Sequence, residues 1–247
     1  MKLTAIQKLT GTLELVTGLH IGSGNNEMHI GGTDNPIIKH PLTLEPYIPG
    51  SSIKGKIRSL LEWELGVIGL TDGNPLGFKH IGKIAPAEQD KAKNILRLFG
   101  GAPEGSGADE ALVKEIGPTR LAFWDCPLDK SWVEEMHRRN LLLTETKMEN
   151  MIDRIRGVAE HPRNTERIPA GARFDFAITI RQHDGEDLLS TVWHGLKLLE
   201  LTGLGGSGSR GYGKVKFTAL TLGGEDMLPK VSNVSLAGKT AAVAATA

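Results

Sequence analysis

The sequence has little cysteine, no excess of charge of either sign and no long hydrophobic run. Its single cysteine, Cys126, excludes an intrachain disulfide and a zinc site built from several cysteines. The 29 Lys and Arg residues balance the 29 Asp and Glu residues, which argues against a generic basic protein that coats DNA. Any binding to nucleic acid must therefore come from local basic patches, such as residues 138–173, and not from net charge.

Motifs for metals and membranes are also scarce. The eight histidines include no His-x3-His or His-Glu-x-x-His spacing, so a histidine-rich metal site is not indicated. We therefore expect no structural zinc. No stretch approaches the roughly 18 consecutive apolar residues of a membrane span, and the N-terminus lacks the apolar segment of a signal peptide. We expect a cytoplasmic protein that does not bind membranes.

The most informative motif is a glycine loop, GGSGSRGYGK at residues 205–214. Glycine lets a ligand approach the backbone, and clustered amide groups form an anion-binding concavity that Arg210 and Lys214 reinforce. A predicted helix at 191–201 precedes the loop and a predicted strand at 214–222 follows it, the reverse of Rossmann and P-loop sites. This order favours contact with a nucleic-acid backbone, and a flexible linker is the alternative. The candidate RNA-binding residues are Gly206, Ser207, Gly208, Ser209, Arg210, Gly211, Tyr212 and Lys214.

A second basic motif, PGSSIKGKIR at residues 49–58, is predicted to begin a helix that ends near Gly66. Ser51 or Ser52 is expected to cap this helix. Free N–H groups, two hydroxyls and three cations at a helix start form a cradle suited to a phosphate, and a solvated helix face is the alternative. Cations in a first turn oppose the helix dipole, so stability alone does not explain them. The candidate RNA-binding residues are Ser51, Ser52, Lys54, Lys56 and Arg58.

The remaining pattern predicts an α+β fold. Apolar alternation predicts strands at 3–19, 119–125, 173–182 and 214–222. Helical periodicity and helix signals predict helices at 51–66, 87–99, 130–139 and 191–201. This order is compatible with the β-α-β-β-α-β ferredoxin-like plan, whose members bind RNA on a sheet face or through adjacent loops. We expect one domain over 1–230, a large insertion at about 66–118 and a flexible tail at 231–247.

An acidic turn, GGTDNP at residues 31–36, lies between the first strand and the second basic motif. It contains Asp34, and Pro36 biases Asn35 away from helical backbone angles. From these residues alone, an ordinary Asx turn is the better interpretation.

Taken together, these motifs resemble the backbone subunit of type III-A CRISPR effector (Csm) complexes, a RAMP protein with an RRM-like sheet. The resemblance runs in order along nearly the whole chain, whereas residues 66–95 and the tail match poorly. The glycine loop and the helix-start motif are specific as a pair, and either alone is weak. The matching segments are 17–22, 34–39, 48–56, 96–100, 120–125, 147–154 and 204–215.

The resemblance implies that several copies line up along a CRISPR RNA, with other subunits of a Csm-type complex, and cleave complementary target RNA at regular intervals. Cleavage is expected to need a divalent metal, Mg or Mn, and an aspartate whose position Asp34 occupies. A projecting thumb, expected at about 154–173, wedges into the guide–target duplex. Some relatives bind zinc through cysteines, and this chain departs from that pattern. The resemblance also implies five further candidate RNA-binding residues, which are His20, Lys147, Arg154, Arg163 and Arg167.

The chemistry is simple because RNA carries its own nucleophile, the 2′-hydroxyl, which has to be aligned with phosphorus and the 5′-oxygen. Asp34 either takes the proton of this hydroxyl or holds a metal ion on the phosphate, and both roles stay open. One alternative function is a non-catalytic RNA scaffold of the same fold. Another is a stand-alone ferredoxin-like endoribonuclease that processes guide precursor RNA, which would need a histidine-based site that the sequence does not indicate.

Overall fold

The structure is a computed structural model that describes residues 2–24, 35–101, 110–183 and 185–235. The strands are β1 (Leu3–Leu15), β2 (Tyr47–Ile48), β3 (Leu121–Phe123), β4 (Cys126–Pro127), β5 (Glu145–Ile152), β6 (Ala159–Arg167), β7 (Arg173–His183), β8 (Val215–Leu222) and β9 (Glu225–Asp226). The α-helices are α1 (Gly50–Leu65), α2 (Pro86–Phe99), α3 (Glu110–Ile116), α4 (Lys130–Arg138), α5 (Leu189–Thr202) and α6 (Leu228–Ser232). None of these helices is long and apolar enough to cross a bilayer.

A five-stranded antiparallel sheet has the order β3-β7-β1-β8-β9. Strand β1 is central because it pairs with β7 on one side and with β8 on the other. Along the chain, β1, α1, β3, β7, α5 and β8 follow the β-α-β-β-α-β plan, and across the sheet they give the ferredoxin-like order. The predicted α+β, RRM-like fold is confirmed.

The core lies on one face of this sheet because the strands alternate. In β7, Phe174, Phe176 and Ile178 are buried, whereas Asp175 between them is exposed. The ring of Phe176 meets that of Phe217 from β8 edge to face, with 5.0 Å between centroids. Helices α1 and α5 pack on each other, and a Cβ at Gly195 would lie only 2.5 Å from Cγ2 of Ile57.

Residues 66–118, predicted as an insertion, contain a 3₁₀ helix (Phe78–Lys83) together with α2 and α3. Phe78, Leu96 and Phe99 are buried and belong to the same core cluster as the strands of the sheet. The segment therefore contributes to the core, and its description as an insertion stays a prediction. At the other end, residues 231 and 232 close α6, and the predicted tail from 236 onward lies outside the described residues.

Strands β5 and β6 form a hairpin that is separate from the main sheet. The predicted thumb range, 154–173, covers its turn and second strand only, because the hairpin begins at Glu145. Strand β5 is mostly exposed and lacks the apolar alternation of a half-buried strand, which explains the difference. Several apolar side chains near its tip are exposed. They are Met151, Ile152, Ile155 and Val158, and Ile155 is 97% exposed.

Candidate nucleic-acid interface

Four parts of the chain meet at the edge of the sheet where β1 ends and β8 begins. In the glycine loop, the N–H of Gly206 donates to the carbonyl oxygen of His20 over 3.0 Å. In the hairpin, the N–H of Glu166 donates to the carbonyl oxygen of Asn35 over 3.1 Å. We call this meeting point the corner. It is formed by residues 16–24, 35–39, the hairpin base (145–149 with 163–168) and 203–214.

The ring of His20 is oriented by the hairpin. Its Nδ1 lies 2.7 Å from the carbonyl oxygen of Glu166. Since a carbonyl oxygen only accepts, Nδ1 is the donor, and Nε2 of the neutral ring keeps its lone pair. The ring lies beside two glycines, because a Cβ at Gly22 would be 3.7 Å from Nε2 and a Cβ at Gly206 would be 3.8 Å from Cδ2. Within the described ranges Nε2 has no protein partner, so it can accept a hydrogen bond from a ligand.

Glu166 fastens the segment that follows Asp34. Its carboxylate accepts hydrogen bonds from the N–H of Ile37 over 3.1 Å and from Nζ of Lys39 over 2.5 Å. Burial acts to raise the pKa of this carboxyl, but the hydrogen bonds from Lys39 and Ile37 outweigh burial, and the pKa is lowered. The ionised carboxylate therefore holds residues 35–39 against β6. The candidate catalytic residue Asp34 itself lies outside the described residues.

Tyr212 points into the protein and not toward solvent. Its side chain is 3% exposed, and its hydroxyl donates to Oε1 of Glu149 over 3.2 Å. Nζ of Lys147 lies 4.5 Å from the ring centroid, and the guanidinium carbon of Arg167 lies 5.0 Å from it. Burial, together with the hydrogen bond to Glu149, raises the pKa of the phenol. The ring is enclosed on the protein side, so stacking on an RNA base would require it to leave this position.

Several cations that were expected to bind RNA have carboxylate partners in the protein. Nη1 of Arg210 lies 3.3 Å from Oε2 of Glu149, and Nζ of Lys147 lies 3.3 Å from Oε1 of the same residue. Nε of Arg167 lies 2.7 Å from Oε1 of Glu145. An RNA phosphate would have to replace these carboxylates. Other candidate cations are exposed and have no ion pair in the described part of the chain, namely Arg154, Arg163 and Lys214.

The glycine loop has a tightly packed stem and an open tip. A Cβ at Gly205 would lie 2.4 Å from the carbonyl oxygen of His20, and a Cβ at Gly213 would lie 1.8 Å from that of Leu204. At Gly208, by contrast, no atom lies within 4 Å of such a Cβ. The stem therefore has one packed conformation, unlike a flexible linker, and part of the expected anion-binding concavity is used internally. The amides that donate within the protein include those of Gly206, Arg210, Gly211 and Gly213.

The start of α1 lies at the same edge of the sheet. Strands β1 and β3 both run antiparallel to β7, so they end at the same edge. Directly after β3, Oδ1 of Asp125 accepts a hydrogen bond from the N–H of Gly50 over 2.8 Å, which brings an anion to the helix start. The predicted serine cap is wrong, because the helix begins at Gly50 and the N-cap is Pro49. Ser51 and Ser52 lie within the first turn.

The three cations of α1 have different surroundings. Nε of Arg58 lies 2.7 Å from Oε1 of Glu62, and its Nη2 donates to the carbonyl oxygen of Leu76 over 2.6 Å. Arg58 is thus engaged inside the protein. Lys54 and Lys56 are partly exposed and form no hydrogen bond or ion pair with the residues that the structure describes. These two lysines are therefore available to an external phosphate.

Ligands for a metal ion are not clustered in the described part of the chain. Within these residues, no group of three or more His, Cys, Asp and Glu side chains has the geometry to hold a metal ion. Burial raises the pKa of the Cys126 thiol to about 12, so it stays protonated at neutral pH and is a poor metal ligand.

The fold and the corner together define a class of protein. A family model described as the RAMP superfamily matches residues 12–216, a range that begins near the end of β1, ends at the start of β8 and includes β3, β7, the hairpin and the glycine loop. The chain belongs to the RAMP superfamily.

Within this class, two curated relatives carry the same name. The chain is 43% identical over 224 residues to "CRISPR system Cms endoribonuclease Csm3" of Methanothermobacter thermautotrophicus, covering 85% of this chain and 82% of that protein. It is 37% identical over 219 residues to the protein of the same name from Streptococcus thermophilus, covering 86% and 87%. The chain is therefore a member of the Csm3 family, and the predicted resemblance to Csm backbone subunits is confirmed.

Solved structures agree with this assignment. A crystal structure of a Csm3-Csm4 subcomplex in the type III-A CRISPR-Cas interference complex matches with a TM-score of 0.51 and 27% identity, covering 90% of this chain and 80% of that one. The crystal structure of Methanopyrus kandleri Csm3 matches with a TM-score of 0.55 and 26% identity, covering 90% and 78%.

Proposed function

We propose that this protein is a backbone subunit of a type III CRISPR ribonucleoprotein, which binds CRISPR RNA in several copies and cleaves complementary target RNA at regular intervals. Its partners are the guide RNA, the target RNA, further copies of itself and other subunits of a Csm-type complex. The endoribonuclease names of its relatives and the Csm3-Csm4 subcomplex support this proposal. The observation that carries it is the corner, where the glycine loop, His20 and the hairpin base are tied to the segment after Asp34.

Guide binding is assigned to the side chains that remain available to phosphates. Lys54 and Lys56 at the start of α1, and Lys214 at the end of the glycine loop, carry charges that the described residues do not neutralise. Phosphate contacts of this kind fix the position of the RNA but carry no base information. One subunit can therefore bind any stretch of guide sequence, as repeated copies along one RNA require.

The hairpin β5–β6 is assigned as the thumb. Its tip exposes apolar side chains, and Ile155 is 97% exposed, which folding of the subunit does not explain. Apolar side chains at the end of a projecting hairpin suit insertion between base pairs, because unstacked bases are apolar on both faces. A nucleotide displaced in this way can reach the in-line geometry that attack by its 2′-hydroxyl needs.

Cleavage is assigned to Asp34 with a divalent ion, Mg²⁺ or Mn²⁺. The next residue, Asn35, is bonded to the hairpin through its carbonyl oxygen, so Asp34 is one residue from the proposed thumb base. A single carboxylate such as that of Asp34 would share its ion with RNA phosphates and water, as is usual for Mg²⁺. When bound, such an ion would neutralise charge on the phosphate.

The test is Asp34→Ala in the complex reconstituted with guide RNA and a labelled complementary target. We expect target cleavage to be lost while assembly and target affinity stay close to those of the unchanged protein. Asp90→Ala, which removes an exposed carboxylate on α2, is the matched control and should cleave normally. Chelation of divalent ions should also stop cleavage. Regularly spaced products from the Asp34→Ala complex would exclude Asp34 as the catalytic residue. If the unsubstituted complex binds target RNA without cleaving it, the non-catalytic scaffold is the function that remains.

A further inference from the structure

Tyr212 is the point where the glycine loop touches both strands of the hairpin. Lys147 of β5 and Arg167 of β6 lie over its ring, at 4.5 Å and 5.0 Å from the centroid. Its hydroxyl donates to Glu149, also on β5. Attraction of cations to an aromatic ring strengthens as water is excluded, and here the ring is buried while the two cations are partly exposed.

These contacts all lie on one face of the hairpin. In its register Glu145 pairs with Arg167 and Lys147 pairs with Thr165. Side chains two residues apart share a face, so Lys147, Glu149 and Arg167 project to the same side, toward Tyr212. A hairpin of two strands has little stability of its own and needs outside contacts to hold one orientation.

The opposite face of the hairpin base is held by different residues. Glu166 follows Thr165 in β6, so its side chain projects to the other side, where it binds Ile37 and Lys39. The base of the hairpin is thus enclosed between Tyr212 on one face and residues 35–39 on the other. The segment after Asp34 and the glycine loop are connected through it.

We propose that Tyr212 is a positioning residue for target cleavage. It holds the hairpin base at a fixed place on the glycine loop and so sets where the hairpin enters the duplex relative to the segment that follows Asp34. Tyr212 acts through Lys147 and Arg167 and does not touch the reacting atoms. This inference rests on the proposed function and replaces the expectation that Tyr212 binds RNA directly.

The experiment compares Tyr212→Leu, which removes the ring but keeps an apolar side chain, with Tyr212→Phe, which keeps the ring. At saturating target RNA, the cleavage rate of the Tyr212→Leu complex should fall at least about tenfold, because small displacements of reacting groups have large effects. Its affinity for guide and target should stay within about threefold. Tyr212→Phe should restore the rate to within about threefold, since the ring and both cation contacts remain. Tyr47→Leu and Tyr47→Phe, at the chain's other tyrosine, are the matched controls and should cleave normally.

If Tyr212→Leu does not fold, a series of phenylalanines with increasing ring fluorination at position 212 provides the test. Fluorination keeps the shape of the ring but weakens its attraction for cations, so cleavage should decline stepwise along the series, by roughly threefold in all. Equal rates throughout would overturn the inference. A Tyr212→Leu complex that cleaves at the rate of the unsubstituted complex would also overturn it. The inference would fail too if the loss of cleavage rate paralleled a loss of melting temperature and Tyr212→Phe did not restore the rate.

Failure of the proposed function gives a different result. The unchanged complex and the Asp34→Ala complex are assayed in parallel with the Tyr212 variants. Absence of cleavage by the unchanged complex contradicts the proposed function. Cleavage by the unchanged complex at the same rate as by Tyr212→Leu contradicts the positioning role alone.

Discussion

Among single residues, the cations of α1 show why residue type alone does not identify a binding site. Arg58 lies four residues before Glu62 on the same helix face, and this spacing by itself indicates an ion pair. The second partner of Arg58, the carbonyl oxygen of Leu76, comes from another part of the chain, which the sequence pattern cannot show. Lys54 and Lys56 have no such partners among the described residues and keep the predicted role in RNA binding.

Substitution separates these two kinds of cation. Lys54→Ala and Lys56→Ala should weaken RNA binding about equally for all guide sequences, and the plot of log affinity against log salt should become shallower by roughly one unit for each phosphate that is no longer bound. Arg58→Ala should instead lower the free energy of unfolding by about 3 kcal/mol, because it leaves the buried carboxylate of Glu62 without its cation. Affinity titrations at several salt concentrations, with chemical denaturation of each variant, measure both effects. If the slope of log affinity against log salt is unchanged in both lysine variants, Lys54 and Lys56 do not bind phosphates and belong to a solvated helix face.

At the scale of elements, the strands and helices with one buried face could be predicted from the sequence. The alternation of β7 and β8 follows the pattern of one face packed on helices, and both strands are found where it places them. Strand β5 has no fully buried residue, and Lys147 and Glu149 on its half-buried face are charged, so its sequence lacks the apolar alternation that would predict a strand. The acids Glu149 and Glu166 were missed as members of the corner because their partners lie far away along the chain.

The glycine loop illustrates the same limit within one element. The sequence predicts an anion-binding loop, with a flexible linker as the alternative, and neither shows that the stem is packed and only the tip is open. The burial of Tyr212 could not be predicted, because a tyrosine among glycines and serines is usually exposed. In the structure its ring packs against Lys147 and Arg167, two cations of the hairpin that lie far from it along the chain.

Alanine substitutions should divide this loop into stem and tip. Gly213→Ala should lower the melting temperature by several degrees, since the new Cβ would lie 1.8 Å from the carbonyl oxygen of Leu204 and φ is +71°. Gly208→Ala has open space and should melt normally, but it should weaken RNA binding about fivefold if the tip lies against the RNA backbone. Thermal melting and RNA affinity are measured on the same samples. Unchanged affinity for Gly208→Ala would show that the tip does not touch RNA.

At the scale of the whole molecule, neutrality and assembly are connected. The chain has 29 cationic and 29 anionic side chains, so net charge gives a free subunit no long-range attraction for RNA. Local contacts at the corner and contacts between copies then have to supply the binding energy together.

Mass measurement on RNA tests this arrangement. Without RNA, we expect a species near 26.6 kDa, and with guide RNA we expect a ladder of species that differ by one subunit, whose highest step rises with RNA length. The sequence-neutral phosphate contacts of each copy are the physical reason. Native mass spectrometry with RNAs of increasing length gives the result directly. A single subunit on RNA of every length would instead match the stand-alone processing enzyme.

The pairing of Lys147, Arg167 and Arg210 with Glu145 and Glu149 has a consequence for the subunit in a crowded cell. When a phosphate replaces a carboxylate beside a cation, one anion is exchanged for another and little free energy is gained. These three paired cations therefore add little to the affinity of a lone subunit for RNA. When neighbouring copies bind the same RNA, the small contributions of their unpaired cations add, so lasting attachment becomes a property of the assembly.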